Sequence, residues 1–179
     1  MTDAPLDASD PQRAVVVKRK VLERLTDVAR HYRALEAAMA AFGEGFVRDQ
    51  FARAAASDDP TELNRVKAIE RGLDQLFNYL AELAALGLEL AELRAPDDDP
   101  NARRDLKGLR EIGVIDEQIR DQLTRVASVR NRMVHDYVGV GALDVHEATR
   151  LIHGALPRFV TAYQQWLQAG FQAARYKAG

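Results

Sequence analysis

The chain has 179 residues, 47% of them hydrophobic, with 25 Lys and Arg against 27 Asp and Glu and no cysteine. That length suits one domain with a proper core, while the missing cysteines exclude both a disulfide framework and a thiolate metal site. A formal net charge of -2 argues at first against a nucleic-acid partner, which calls for a basic surface, and no stretch approaches the roughly 20 apolar residues of a membrane span.

In chain order, residues 1–12, MTDAPLDASDPQ, are acidic, lack the apolar run of a signal peptide and read as a disordered tail on a cytoplasmic protein. A single helical domain is expected over 13–173, followed by a short tail at 174–179. From Arg13 to about Phe42, Val17, Val21, Leu25, Val28, Tyr32, Leu35 and Met39 recur at spacings of three and four, which predicts an amphipathic helix. Gly43 and Gly45 break it, and Phe46 to Ala56 reads as a short second helix. Asp59 as N-cap, Pro60 at the first helical position and Glu62 in the first turn start a third.

That third helix runs to about Leu93. Its face of Val66, Ile69, Leu73, Leu76, Phe77, Leu80, Leu83, Leu86 and Leu90 is too wide for one partner helix, so it is expected to be central or shared with a second subunit. Pro96 and the aspartates at 97–99 end it, and Ala102 to Ile112 predicts a shorter helix stopped by Gly113. Asp116 can cap a fifth helix reaching about Tyr137 before Gly139 and Gly141. Asp144 starts a last helix with an apolar face from Leu151 to Leu167 and a potential kink at Pro157. No window alternates as a strand does. The fold class is all-α, an up-and-down bundle of about five or six helices.

Charge is unevenly spread. Nine of the 27 acids sit in the tail and two interhelical connections, leaving 18 against 25 Lys and Arg. The later half carries Arg103, Arg104, Lys107, Arg110, Arg125, Arg130 and Arg132, so a local basic face is expected there. Gly-rich phosphate loops, His-Glu-x-x-His helices and Gly-x-Ser-x-Gly elbows are absent. His146 and His153 are seven apart on the last helix, but no clustered carboxylates complete a metal set, so no metal is expected, and packing or surface roles are.

The fifth helix ends in SVRNRMVHDY, residues 128–137. The stripe of Ile119, Leu123 and Val126 continues onto Arg130 instead of another aliphatic residue, Tyr137 returns to nearly the same face, and Asn131 and His135 pair at i, i+4 beside it. These four polar groups are expected to border one surface. A free imidazole titrates near neutrality, and Arg130 or Arg132 can hold a phosphate through a pentacoordinate transition state. In RNA the neighbouring 2′-hydroxyl is a built-in nucleophile, so such groups suffice without a metal. One chain supplies one suitable histidine, and a two-fold dimer would supply two. By spacing alone a second reading stays open: Arg130 pairs with a carboxylate, His135 caps helix carbonyls and Tyr137 is core.

RNRMVHDY, with ERGLDQLFNYLAEL on the third helix and LREIGVIDEQIRDQLTRVAS leading into the motif, resembles the Arg-x4-His-x-Tyr signature of HepT-type toxins in the HEPN superfamily, over roughly residues 15 to 170. The resemblance implies the toxin of a type VII-like toxin–antitoxin pair: a homodimeric, metal-independent endoribonuclease acting on tRNA or mRNA without a cofactor. Its catalytic residues would be Arg130 and His135, with Asn131 assisting and Arg125 and Arg132 available to bind RNA. It further implies that a minimal nucleotidyltransferase silences the toxin by transferring AMP to Tyr137. Glu82 departs from the pattern, standing where relatives would carry a shorter acidic side chain in a support role. A different class is also open, a non-catalytic HEPN module that binds a nucleotide or a partner nucleotidyltransferase.

Overall fold

The computed structural model describes residues 11–95, 98–99, 101–135 and 140–170. Among them are six helices and no strand: α1 (Pro11–Ala40), α2 (Arg48–Ala55), α3 (Pro60–Leu90), α4 (Ala102–Glu111), α5 (Glu117–His135) and α6 (Ala142–Gln168). Of the expected tail at 1–12 only Pro11 and Gln12 are described, and they are already helix, while the tail at 174–179 lies outside the described residues. Helix α1 begins two residues ahead of the expected Arg13.

The capping signals operate as physical chemistry requires. Asp59 Oδ1 accepts the Thr61 N–H at 2.8 Å, and Asp116 Oδ1 accepts the Ile119 N–H at 2.7 Å. Asn101 does the same for Arg104 at 3.0 Å, a cap hidden in a stretch read only as a connection. Each satisfies a backbone donor that the first turn leaves without a partner. Asp144 acts from inside the first turn of α6, accepting the Gly141 N–H at 3.4 Å, so α6 starts at Ala142 instead of Asp144.

Two helix ends fall short of expectation because single residues turn left-handed. Phe46 has φ 56° and Glu92 φ 58°, a conformation that costs a non-glycine residue about 1 kcal/mol or more. Phe46 offsets this by burying its ring against Phe42, Phe51 and His146, which delays α2 to Arg48. At Glu92 the Leu93 N–H reaches back to Leu88 O at 2.9 Å and the Glu92 N–H to Glu89 O at 3.1 Å. That six-to-one closure ends α3 at Leu90 rather than Leu93.

Helix α3 is the hub, packed against all five other helices. Its wide apolar face, from Val66 through Leu90, is buried within the chain apart from Leu86, which is partly buried, so the width of the face is explained by its central place. Helix α1 runs antiparallel to it, as the pairings Arg13 with Glu89 and His31 with Tyr79 require. The crossing with α4 and α6 depends on small residues: a Cβ on Gly87 would sit 2.9 Å from Tyr163 Oη, and one on Gly108 2.9 Å from Leu88 Cδ1.

Pro157 sits inside an uninterrupted α6. It offers no N–H to the carbonyl four residues back, which belongs to His153. The Tyr32 hydroxyl of α1 donates to that carbonyl at 3.0 Å while its ring stacks on His153 with centroids 5.2 Å apart. The gap left by proline thereby becomes a tie between α1 and α6.

Candidate active site

Helix α5 buries Ile119, Leu123, Val126 and Ala127. Its next inward position is Arg130, whose guanidinium therefore enters the seam with α3 instead of solvent. Arg130 Nε donates to Asp74 Oδ1 at 2.8 Å and Nη2 donates to Asn78 Oδ1 at 3.0 Å. Asn78 Nδ2 closes the ring by donating to Asp74 Oδ2 at 3.4 Å. Asp74 and Asn78 are one turn apart on α3, so they present a carboxylate and an amide to a single planar fork.

This arrangement holds the cation without exhausting it. Of the five N–H donors of a guanidinium, two are used, and the other three find no partner among the described residues. The side chains of Arg130 and Asp74 remain 23% and 38% exposed, which leaves an anion a way in. A fixed, half-buried guanidinium with open donors can hold a phosphate and stabilise the charge that grows on it during transfer.

The other predicted residues lie elsewhere on the same helix end. Asn131 and His135 are exposed on α5, and His135 is its last described residue. Five residues separate His135 from Arg130, a rise of roughly 7.5 Å but well over a third of a turn out of phase. Within one chain the two therefore do not face each other. The expected single border of four polar groups becomes an inward Arg130 and an outward pair of Asn131 and His135. Tyr137, the candidate modification site, lies outside the described residues.

Arg132 is exposed with Nη2 3.5 Å from Asp144, and Arg125 is exposed without a hydrogen bond or ion pair to a described residue. Glu82 does not support Arg130. It bonds instead to Arg24 of α1, which also reaches Asp27 at 2.9 Å and lies over the Tyr79 ring. The acid at the motif arginine is Asp74, two turns earlier. Its signal in the sequence was a polar i, i+4 pair interrupting an apolar face between Leu73 and Leu80.

The histidines of α6 serve packing. His146 is buried, donates from Nε2 to Phe46 O at 2.8 Å and stacks on the Phe46 ring. His153 meets Glu36 at 3.2 Å from a different side of the bundle. Among the described residues no group of three or more potential ligands gathers for a metal ion, and no helix is long and apolar enough to cross a membrane.

The decisive comparison is with family models. The model described as Ribonuclease HepT-like matches residues 21–163, a span from α1 to Tyr163 that contains Asp74, Asn78, Arg130 and His135. The chain belongs to the HepT-like ribonuclease family. No curated protein and no solved structure matches it. Membership in the HepT-like family agrees with the six helices, and no strand, found among the described residues.

Proposed function

We propose that this HepT-like protein is a metal-independent endoribonuclease whose working cleft is completed by two copies of the chain. The observation that carries the reading is the Arg130 guanidinium, pinned by Asp74 and Asn78 with three donors open, on the helix end that also bears the exposed imidazole of His135 on another side. In the reaction a histidine takes the proton of a ribose 2′-hydroxyl, whose oxygen attacks the adjacent phosphorus. The bond to the 5′-oxygen breaks, that oxygen takes a proton from a second acid, and a 2′,3′-cyclic phosphate and a free 5′-hydroxyl result. Arg130 offsets the negative charge of the intermediate phosphorane, and Asn131 assists by hydrogen bonding.

Because Arg130 and His135 point to different sides of α5, a second subunit that presents its own helix end is the simplest source of the missing proton donor. The biological role that suits such an enzyme is the toxin of a toxin–antitoxin pair. Its partner would be a minimal nucleotidyltransferase that blocks the cleft by attaching AMP to Tyr137, since a bulky anion beside His135 would exclude RNA.

The test is cleavage of bulk tRNA and mRNA in EDTA by the purified protein, followed by its expression in bacteria. The wild type should degrade RNA, sediment as a dimer and arrest growth, whereas folded His135→Ala and Arg130→Ala should do neither damage. Cleavage by a well-folded His135→Ala protein, or by a strict monomer, would overturn the reading. Uncut RNA with a nucleotide or a nucleotidyltransferase bound at the same cleft would establish the binding module instead.

A further inference from the structure

Of the seven cations named above, from Arg103 to Arg132, five face carboxylates. Arg104 meets Asp105 at 3.3 Å, Lys107 meets Glu111 at 3.6 Å, Arg110 meets Glu117 at 2.9 Å, Arg130 meets Asp74 at 2.8 Å and Arg132 meets Asp144 at 3.5 Å. Arg103 and Arg125 are the two that do not.

Arg103 projects from the first turn of α4 and places Nη2 2.7 Å from Ser128 Oγ on α5. That hydroxyl accepts from the guanidinium and donates its own proton to Thr124 O at 3.0 Å. A neutral hydroxyl committed in both directions fixes the position of the cation and takes none of its charge. Arg125 stands three residues before Ser128, on the same side of α5, and is exposed without a partner among the described residues. Two undiminished charges thus lie together on the outer shoulder of α4 and α5.

Their position relative to the motif is set by helix geometry. His135 is seven residues beyond Ser128 and returns to the same face roughly 10 Å along the axis. Arg132 lies between them, its charge partly met by Asp144. A strand whose scissile linkage reaches His135 has this shoulder roughly 10 Å away on the same face of α5.

Resting on the nuclease reading above, we propose that Arg103 and Arg125 form a phosphodiester-binding shoulder that grips the RNA strand beside the cleaved linkage through its backbone. Contacts from arginine to phosphate fix register without reading bases, so the shoulder accepts any sequence. Ser128 is the positioning residue, acting through Arg103.

The experiment titrates a short fluorescein-labelled single-stranded RNA into full-length His135→Ala protein, which leaves the probe intact, at stepped potassium chloride concentrations. Replacing Arg103 and Arg125 together with alanine should weaken binding several-fold for two unrelated sequences alike. It should also flatten the slope of log affinity against log salt by about 0.7 for each cation lost. Ser128→Ala should give a smaller loss, because Arg103 remains but is no longer held. Arg53→Ala serves as control, removing an exposed arginine of α2 that has no partner among the described residues. Affinity and slope in the double variant equal to those of Arg53→Ala would overturn the proposal. If the wild type cleaves RNA and the Arg103 and Arg125 replacements, made with His135 in place, bind and cleave as well, the shoulder falls and the nuclease stands. If no form of the chain cleaves RNA but binding and slope drop as expected, the nuclease falls and the shoulder stands.

Discussion

Asp74 Oδ1 and Arg130 Nε lie 2.8 Å apart across the seam of α3 and α5, joining residues 56 positions apart in the chain. The carboxylate partly neutralises the guanidinium yet leaves most of its donors open, so in the proposed reaction its part is to aim the cation. Asp74→Ala should therefore lower kcat for RNA cleavage by about tenfold to a hundredfold, the scale of loss that small misplacements of a reacting group produce, with KM little changed. Asp74→Asn keeps an acceptor for Nε and should recover part of the rate. Circular dichroism checks the fold, and an Asp74→Ala enzyme turning over at the wild-type rate would remove Asp74 from the site.

Tyr137 is tested by mass. Co-expression with a nucleotidyltransferase of the minimal type should add one or more AMP units to the chain, and Tyr137→Phe should carry none. A neutralised complex in which the chain keeps its unmodified mass would point to inhibition by binding alone.

The Tyr32 hydroxyl and Pro157 are predicted to be energetically coupled. Tyr32→Phe removes the donor to His153 O, and because Pro157 has no N–H the carbonyl is left without a helical partner, at about 1 kcal/mol. Pro157→Ala restores a helical N–H. In a double-mutant cycle read by urea unfolding, the Tyr32→Phe change should cost clearly less in the Pro157→Ala background. Equal costs in both backgrounds would mean that the carbonyl does not depend on the tyrosine.

Burial pushes the Glu70 carboxyl above its ordinary value of 4.5, with Lys67 pulling the other way. A carboxyl raised in the folded state binds its proton more tightly there than in the unfolded chain, so stability falls as pH rises from 4.5 through the raised folded value. Glu70→Gln removes that penalty. The variant should melt above the wild type at neutral pH, with the difference closing below pH 4.5. A lower melting temperature at neutral pH would show that ionised Glu70 stabilises the fold through its neighbours.

A buried tyrosine gives a further measure. Tyr163 is fully buried and donates to Leu83 O at 2.8 Å, and burial lifts its phenol far above the ordinary range. Tyr163→Phe should cost about 1 kcal/mol, which lowers Tm by roughly 2–4 °C in a chain of this size. Calorimetry at neutral pH measures it, and an unchanged Tm would mean that the hydroxyl has no net effect.

The sequence by itself determined the helices, their order and most of their boundaries, because apolar spacing, Asp59, Asp116 and the glycines act within a turn or two of where they stand. It also determined the motif, since Arg130, Asn131 and His135 are neighbours on one helix. Only the tertiary structure decided which carboxylate meets Arg130, turning Glu82 toward Arg24 and Asp74 toward the motif, because partners on α1, α3 and α5 are selected by how helices cross and not by spacing. The same is true of the α3 face, whose width is visible in the sequence but whose five covering helices are not, and of Arg103, whose hold on Ser128 exists only because α4 folds back on α5. Contacts between residues dozens of positions apart depend on crossing geometry set by the whole core, including the close approach at Gly87 and Gly108, and no local pattern encodes that geometry.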